Sequence, residues 1–153
     1  MTSLAELPDA VTALFDGTGL KDKQNAAAIL ATTDEDGWPR LAYLSAGEVL
    51  VHDPNRLSIS LWPTSSSTLN LLRTGRGVLQ AAARGAVWEA RLNATRRQTT
   101  NEGPAVFDAE VVEVRRNAAP YADVEWLIAF RLHDAPAAVE RWERQIGRMR
   151  PPT

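Results

Sequence analysis

Cysteine is absent from this 153-residue chain. That removes disulfides, thiolate catalysis and zinc–thiolate centres in one step. Histidine is scarce: His52 and His133 are the whole supply, and neither sits at a metal-ligand spacing from another donor, so no metal site is expected. Apolar runs are short, far below the roughly 18–20 residues that span a bilayer. The opening segment, Met1-Thr2-Ser3-Leu4-Ala5-Glu6, has neither the basic start nor the apolar centre of a signal peptide. The expected setting is therefore cytoplasmic, away from membranes. Positive charge is not in excess either. The net charge is -2, although Arg73, Arg76, Arg84, Arg91, Arg96 and Arg97 give local basic character. With aromatics that are not spaced as a stacking platform, a nucleic-acid partner is not expected. No nucleophile–base arrangement can be assembled, so no catalytic residue is assigned. Asp34, Glu35 and Asp36 are neighbouring carboxylates, but they fall between two apolar runs and read as turn formers.

What remains is a globular composition, 44% hydrophobic and 24% charged, of a length that fits one domain, residues 1–153, around one core. A short helix is predicted over about residues 7–15, with Pro8 in its first turn and Leu7, Val11, Leu14 and Phe15 on one face. Ala26 to Thr33 and Trp38 to Ser45 flank an Asp-Gly turn and read as a hairpin. Val49 to His52 and Leu57 to Trp62 are further strands. In the second, Leu57, Ile59 and Leu61 point one way and Ser58, Ser60 and Trp62 the other. A helix follows, opened by hydroxyl residues and closed by Gly75. Val78 to Ala83, Ala86 to Thr95 and Val106 to Val114 are strands, with a turn at Arg84-Gly85 and a polar connection from Arg96 to Pro104. A short helix over Ala118 to Glu125, a last strand over Leu127 to Leu132, and an amphipathic helix over about 136–149 complete the reading. Hairpin-length links make the sheet mostly antiparallel. The fold class is mainly β, a barrel with flanking helices, closed so that no strand edge is exposed. A sandwich is the alternative.

Trp62 to Arg73 is the segment most suited to chemistry. A strand ends, Pro63 turns the chain, and a helix begins amid Ser65-Ser66-Ser67-Thr68. A first helical turn offers unpaired N–H groups and partial positive charge, which suit a phosphate without needing a lysine. Asn70 and Arg73 are three residues apart and can share a face. The plain alternative is that one hydroxyl caps the helix and the others are solvated.

These residues resemble a known family. Ala28-Ile29-Leu30-Ala31-Thr32-Thr33 followed by Asp36-Gly37-Trp38-Pro39-Arg40, Leu57 to Trp62, Ser66-Ser67-Thr68-Leu69-Asn70-Leu71-Leu72-Arg73 and Val78-Leu79-Gln80-Ala81 are similar, in order and spacing, to segments of the pyridoxamine 5′-phosphate oxidase-related, FMN-binding split-barrel proteins. The resemblance covers about Lys23 to Leu92. It implies a Greek-key split β-barrel of six or slightly more strands, and a homodimer with two FMN sites at the subunit interface. It places Ser66, Ser67, Thr68 and Asn70 at the FMN phosphate, Trp62 near the flavin ring, and Tyr43, Leu44 and Ser45 along the ring or ribityl chain.

Two departures shape the expectation. Where many members carry an Arg-Lys or Ser-Lys pair, this chain has Ser67-Thr68. The Arg and Lys that true pyridoxamine phosphate oxidases carry on the hairpin's second strand are missing from Ala42 to Ser45. The implied function is an FMN-dependent oxidoreductase acting on an unknown small molecule, not vitamin B6 oxidation. The alternatives are a flavin-storage protein without catalysis, or a barrel that holds deazaflavin or heme. For heme, His52 and His133 are the available histidine ligands. Among the tryptophans at 38, 62, 88, 126 and 142, Trp62 stands out by its place beside the hydroxyls; the others read as core or interface. His52 and His133 read as surface residues. Arg96 and Arg97 read as a solvated pair or as contacts to an anionic substrate.

Overall fold

The structure, a computed structural model, describes residues 5–98 and 103–151. Residues 99–102 of the predicted Arg96–Pro104 connection therefore lie outside the described residues, as do residues 1–4 and 152–153.

Seven strands form one sheet: β1 (Ala27–Thr33), β2 (Pro39–Ser45), β3 (Val49–Asp53), β4 (Arg56–Leu61), β5 (Arg76–Ala83), β6 (Ala86–Arg96) and β7 (Ala105–Asn117). Three α-helices accompany them: α1 (Asp9–Leu14), α2 (Ser66–Thr74) and α3 (Ala135–Met149). The strand order is β2-β1-β5-β6-β7-β4-β3, and every pair is antiparallel. Three consecutive hairpin strands, β5 to β7, have β4 laid beside the last, with α2 in the long connection. That is a Greek key.

Local sequence explains the turns. Asp34 Oδ1 accepts the Asp36 and Trp38 amides, each at 2.9 Å, and Gly37 takes φ +86°, so the predicted carboxylate cluster builds the β1–β2 turn. Arg84 (φ 52°) and Gly85 (φ 76°) make the two-residue turn whose twist matches a hairpin. The predicted helix over Ala118 to Glu125 is absent. Pro120 interrupts it, Ala119 bridges Ala122, and the Val124 amide donates to Gly85 O at 2.8 Å instead. The predicted strand over Leu127 to Leu132 is absent too. Its alternation holds from Ile128 to Leu132, where Ile128, Phe130 and Leu132 are half-buried and Ala129 and Arg131 exposed, although Leu127 is half-buried too; the segment pairs with no strand among the described residues.

One core cluster takes residues from all seven strands, including Leu44 of β2 and Val49 and Val51 of β3. For both edge strands to reach one core the sheet must curl. The expected closure does not follow, because β2 and β3 are not hydrogen-bonded to each other. The β3 edge is covered by the N-terminal segment: the Val51 amide donates to Phe15 O at 2.7 Å and the Leu7 amide to Pro54 O at 2.8 Å. The outer edge of β2 has no strand against it, and the barrel is split there.

A second cluster lies on the outer side of β3 and β4. Ala138, Trp142, Ile146 and Met149 form the buried stripe of α3, which Asp134 caps by accepting the Ala137 amide at 3.1 Å. Gly47, between β2 and β3, has no Cβ because one would run into the Trp142 ring. This cover buries the β4 face read as polar: Ser58 and Ser60 are 0% and 3% exposed. A polar face under a helix needs partners, and Ser58 has them. Its hydroxyl donates to Asp108 Oδ1 at 2.7 Å, so His52 Nε2, 2.7 Å away, donates to it. Arg97 forks onto both Asp108 oxygens at 3.0 and 2.6 Å. It also donates to the Arg148 and Met149 carbonyls, each at 2.9 Å. Arg97 is thus neither solvated nor turned to a substrate; it ties the C-terminal end of α3 to the barrel.

Burial lowers the His52 pKa below its ordinary value; the charges of Arg97 and Arg56 lower it further, against Asp108 and Asp53. A histidine depressed on folding contributes stability above its unfolded pKa of about 6.5, and loses it as pH falls from there through the folded value. The melting temperature should therefore decline by a few degrees as pH drops below about 6.5, and His52→Gln should flatten that decline. A slope unchanged by the substitution would assign it elsewhere.

Candidate functional site

The split edge borders a cleft of about 270 Å³ between β2, the end of β4 and the start of α2. β2 supplies Arg40 to Leu44, the β2–β3 corner supplies Glu48, β4 ends in Leu61 and Trp62, and α2 opens with Ser65 to Ser67. Trp62 is 69% exposed and Tyr43 61%. Two bare aromatic faces therefore stand at the rim.

The hydroxyl run builds a tight helix start. Pro63 ends the ladder. Trp62 O then accepts the Ser65 amide at 3.1 Å and the Thr68 hydroxyl at 2.6 Å. Ser65 is the N-cap, its Oγ accepting the Thr68 amide at 3.2 Å. Gly75, at φ 67°, ends the helix as expected. The cap accounts for Ser65 and Thr68. It leaves the first-turn amides of Ser66 and Ser67 without intrahelical partners, and both residues line the cleft. Arg40 lines it as well and makes no ion pair among the described residues. Two helix-end amides, two hydroxyls and one guanidinium in the lining of one cleft suit an anion. Along the other wall, the unpaired backbone edge of β2 offers alternating donors and acceptors to a planar polar ring.

The residues singled out from sequence divide into three groups. Tyr43, Leu44, Trp62, Ser66 and Ser67 share the cleft. Ser45 lies one step beyond it; its hydroxyl and amide donate to Glu48 Oε1 at 2.8 and 3.0 Å. Thr68 and Asn70 are turned away. Thr68 is fully buried in the cap, and Asn70 donates to the Thr32 hydroxyl at 3.0 Å while accepting from Arg73 at 3.2 Å. Arg73 also bonds Thr33 O. Asn70 and Arg73 do share a face, and it is the face that docks α2 on β1. Arg40 and Glu48 were not singled out as site residues. No sequence signal marked Arg40, because every residue of β2 from Arg40 to Leu44 lines the cleft whatever its parity.

A second cavity of about 300 Å³ adjoins the first and shares Tyr43, Leu44 and Glu48 with it. Its other walls are Ala27, Ser45, the 128–132 segment, Arg141 and Trp142. Among the described residues no cluster of His, Cys, Asp and Glu is placed to hold a metal ion. No helix there is long and apolar enough to cross a membrane.

No protein-family model matches the chain. It is 30% identical over 143 residues to the uncharacterised protein YclD of Bacillus subtilis strain 168, an alignment that spans 92% of this chain and 93% of YclD. Among solved structures, a protein of Lactobacillus delbrueckii provisionally described as a pyridoxamine 5′-phosphate oxidase superposes with a TM-score of 0.58 at 22% identity, covering 75% of this chain and 99% of that one. An FMN-binding protein of Syntrophomonas wolfei superposes with a TM-score of 0.51 at 13% identity, covering 68% and 86%.

Proposed function

This chain belongs to one family with YclD and has the fold of the pyridoxamine 5′-phosphate oxidase-related split-barrel proteins, and from that premise we propose that it is an FMN-dependent oxidoreductase that works as a homodimer on a small molecule. The observation that carries the reading is the anion-ready lining of the cleft: the free first turn of α2 with Ser66, Ser67 and Arg40. In this reading Arg40 supplies the charge that the serine-threonine pair lacks. Tyr43, Leu44 and Ser45 would hold the ribityl chain and ring, and Trp62 would lie near the ring. Bound flavin supplies hydride transfer at its N5; the chain binds it, orients it and excludes water. Ala42 to Ser45 carry no Arg or Lys, which sets the substrate apart from pyridoxamine phosphate.

The dimer is supported by an uncovered apolar face beside the cleft. On the convex side of the sheet Leu41 lies opposite Ala31, and Ala31 opposite Val78. Leu41 is 52% exposed, and Tyr43, Leu69 and Leu72 lie open as well. A patch of this kind marks an association surface.

A second reading, flavin binding without catalysis, has one observation in its favour. Glu48 is the cleft's sole carboxylate, and one of its oxygens already accepts two hydrogen bonds from Ser45. The test is an absorption spectrum of the purified protein, acid release of its chromophore, and addition of NADH or NADPH. One FMN per subunit, bleached by a nicotinamide, supports the enzyme. Bound FMN that no donor reduces supports storage. A colourless protein that ignores micromolar FMN ends both, and directs the search to deazaflavin and heme.

A further inference from the structure

We propose that the second cavity is a binding site for a small aromatic or branched monocarboxylate, with its carboxylate on Arg141 and its apolar body against Ile128, Phe130, Leu132 and Trp142. The cavity, at about 300 Å³, sits at the lower end of ligand sites, which run from about 300 to 1,000 Å³, so it suits a body of one or two rings. Its wall is built for the purpose. Ile128, Phe130 and Leu132 are half-buried members of a segment that pairs with no strand among the described residues. All three line the cavity, and Leu132 also packs against the core cluster under α3.

The charge of the ligand follows from which polar groups are free. Arg141 lines the cavity and makes no ion pair among the described residues. On the same helix, Glu140 is taken by Arg144 at 3.2 Å. Glu48 lines the cavity too, but its Oε1 is held by the Ser45 amide and hydroxyl. Glu48 keeps its charge, and Arg141 is the one cation in this lining. A guanidinium fork matches a carboxylate with two parallel hydrogen bonds. A dianion such as phosphate is disfavoured by having one cation available and the Glu48 carboxylate nearby.

Because Tyr43, Leu44 and Glu48 belong to both cavities, a ligand here lies beside the proposed flavin. The substrate role of that ligand rests on the flavin reading; its binding does not. The experiment uses the full-length protein and titrates 2-naphthoate and its neutral counterpart 2-naphthamide by calorimetry, against wild type and Arg141→Gln. Arg141 is exposed, and glutamine is about as good a helix former as arginine, so the variant folds. The expected result is saturable naphthoate binding to wild type, weaker by about tenfold or more in Arg141→Gln. Naphthamide should bind wild type and variant alike, at the weaker level. No binding of naphthoate at millimolar concentration, or equal affinity for wild type and variant, overturns the proposal. FMN is titrated separately. Naphthoate binding without FMN binding removes only the flavin reading, and FMN binding without naphthoate removes only this one.

Discussion

Ser66→Asp will raise the stability of the protein and abolish most of its FMN affinity. Ser66 is the first helical residue of α2, exposed, and follows the Ser65 cap. A carboxylate there meets the positive end of the helix and stabilises it by about 0.3–1 kcal/mol, which raises the melting temperature by roughly 1–4 °C in a chain of this size. The same carboxylate stands where the phosphate is proposed to sit. Repulsion at such range, partly screened, is on the order of 2–3 kcal/mol, or about a hundredfold in affinity. Riboflavin has the ring and the ribityl chain but no phosphate, and its affinity should not change. Arg40→Ala should show the same selectivity, with FMN weakened and riboflavin spared. If FMN and riboflavin weaken together, the substitution has damaged the ring site and the phosphate lies elsewhere. The opposite signs of the two effects matter, because a merely misfolded variant loses both stability and binding.

The part of the site written in local chemistry was legible before the structure. Ser65 to Thr68 read as a helix start because hydroxyl residues after a strand-breaking proline have few other uses, and Tyr43, Leu44, Trp62, Ser66 and Ser67 do share one cleft. The assignment of Thr68 and Asn70 went past what spacing can decide. A hydroxyl in a first turn can face a ligand or the preceding carbonyl, and the Trp62 carbonyl takes Thr68. Asn70 is held by Thr32, 38 residues away in sequence, a partner that only the fold brings near. The strand over Leu127 to Leu132 failed for a related reason. Alternation reports that one side of a segment is apolar. It does not report whether a sheet edge is free to receive the backbone, and here the apolar side faces a cavity. The two serines of β4 illustrate the converse. Ser58 and Ser60 read as the polar face of β4, yet α3 covers that face, and Ser58 is partnered there by Asp108 of β7 and by Arg97, just past the end of β6. The open barrel follows the same logic: unpaired edges are a liability, but Phe15 and Leu7 protect the β3 edge with main-chain bonds, so closure is not required on that side. The uncovered β2 edge is where the cleft forms.

Arg97→Leu will loosen α3 and cost the protein about 2–3 kcal/mol, a fall of roughly 4–12 °C in melting temperature. The guanidinium holds Asp108 with two bonds, touches Ser58 at 3.2 Å, and bonds the carbonyls at the end of α3. Those carbonyls find no N–H donor within the helix, and Arg97, with a side chain 20% exposed, supplies the donors. Removing it strands Asp108 beside the buried Ser58. The loss stays below the 3–5 kcal/mol typical of a fully buried pair because Asp108 is 49% exposed and water can replace part of the contact. Arg97→Lys should recover only a fraction, since an ammonium cannot fork onto both Asp108 oxygens while reaching two carbonyls. The Asp108 part of the effect should vanish in acid. Burial raises the Asp108 pKa, but the bonds from Arg97 and Ser58 and the Arg97 charge outweigh it, leaving the carboxyl below its ordinary value. A depressed carboxylate contributes stability above its unfolded pKa of about 3.9 and loses it as pH falls through the folded value. The gap between wild type and Arg97→Leu should therefore narrow at low pH, leaving the part due to the α3 carbonyls. The two proteins should also separate by function at neutral pH: Trp142 and Arg141 line the second cavity from α3, so a loosened helix should weaken 2-naphthoate there, while FMN, proposed to bind at α2 and β2, should keep its affinity. Equal loss of both ligands would mean that α3 supports the whole split edge and not the second cavity alone.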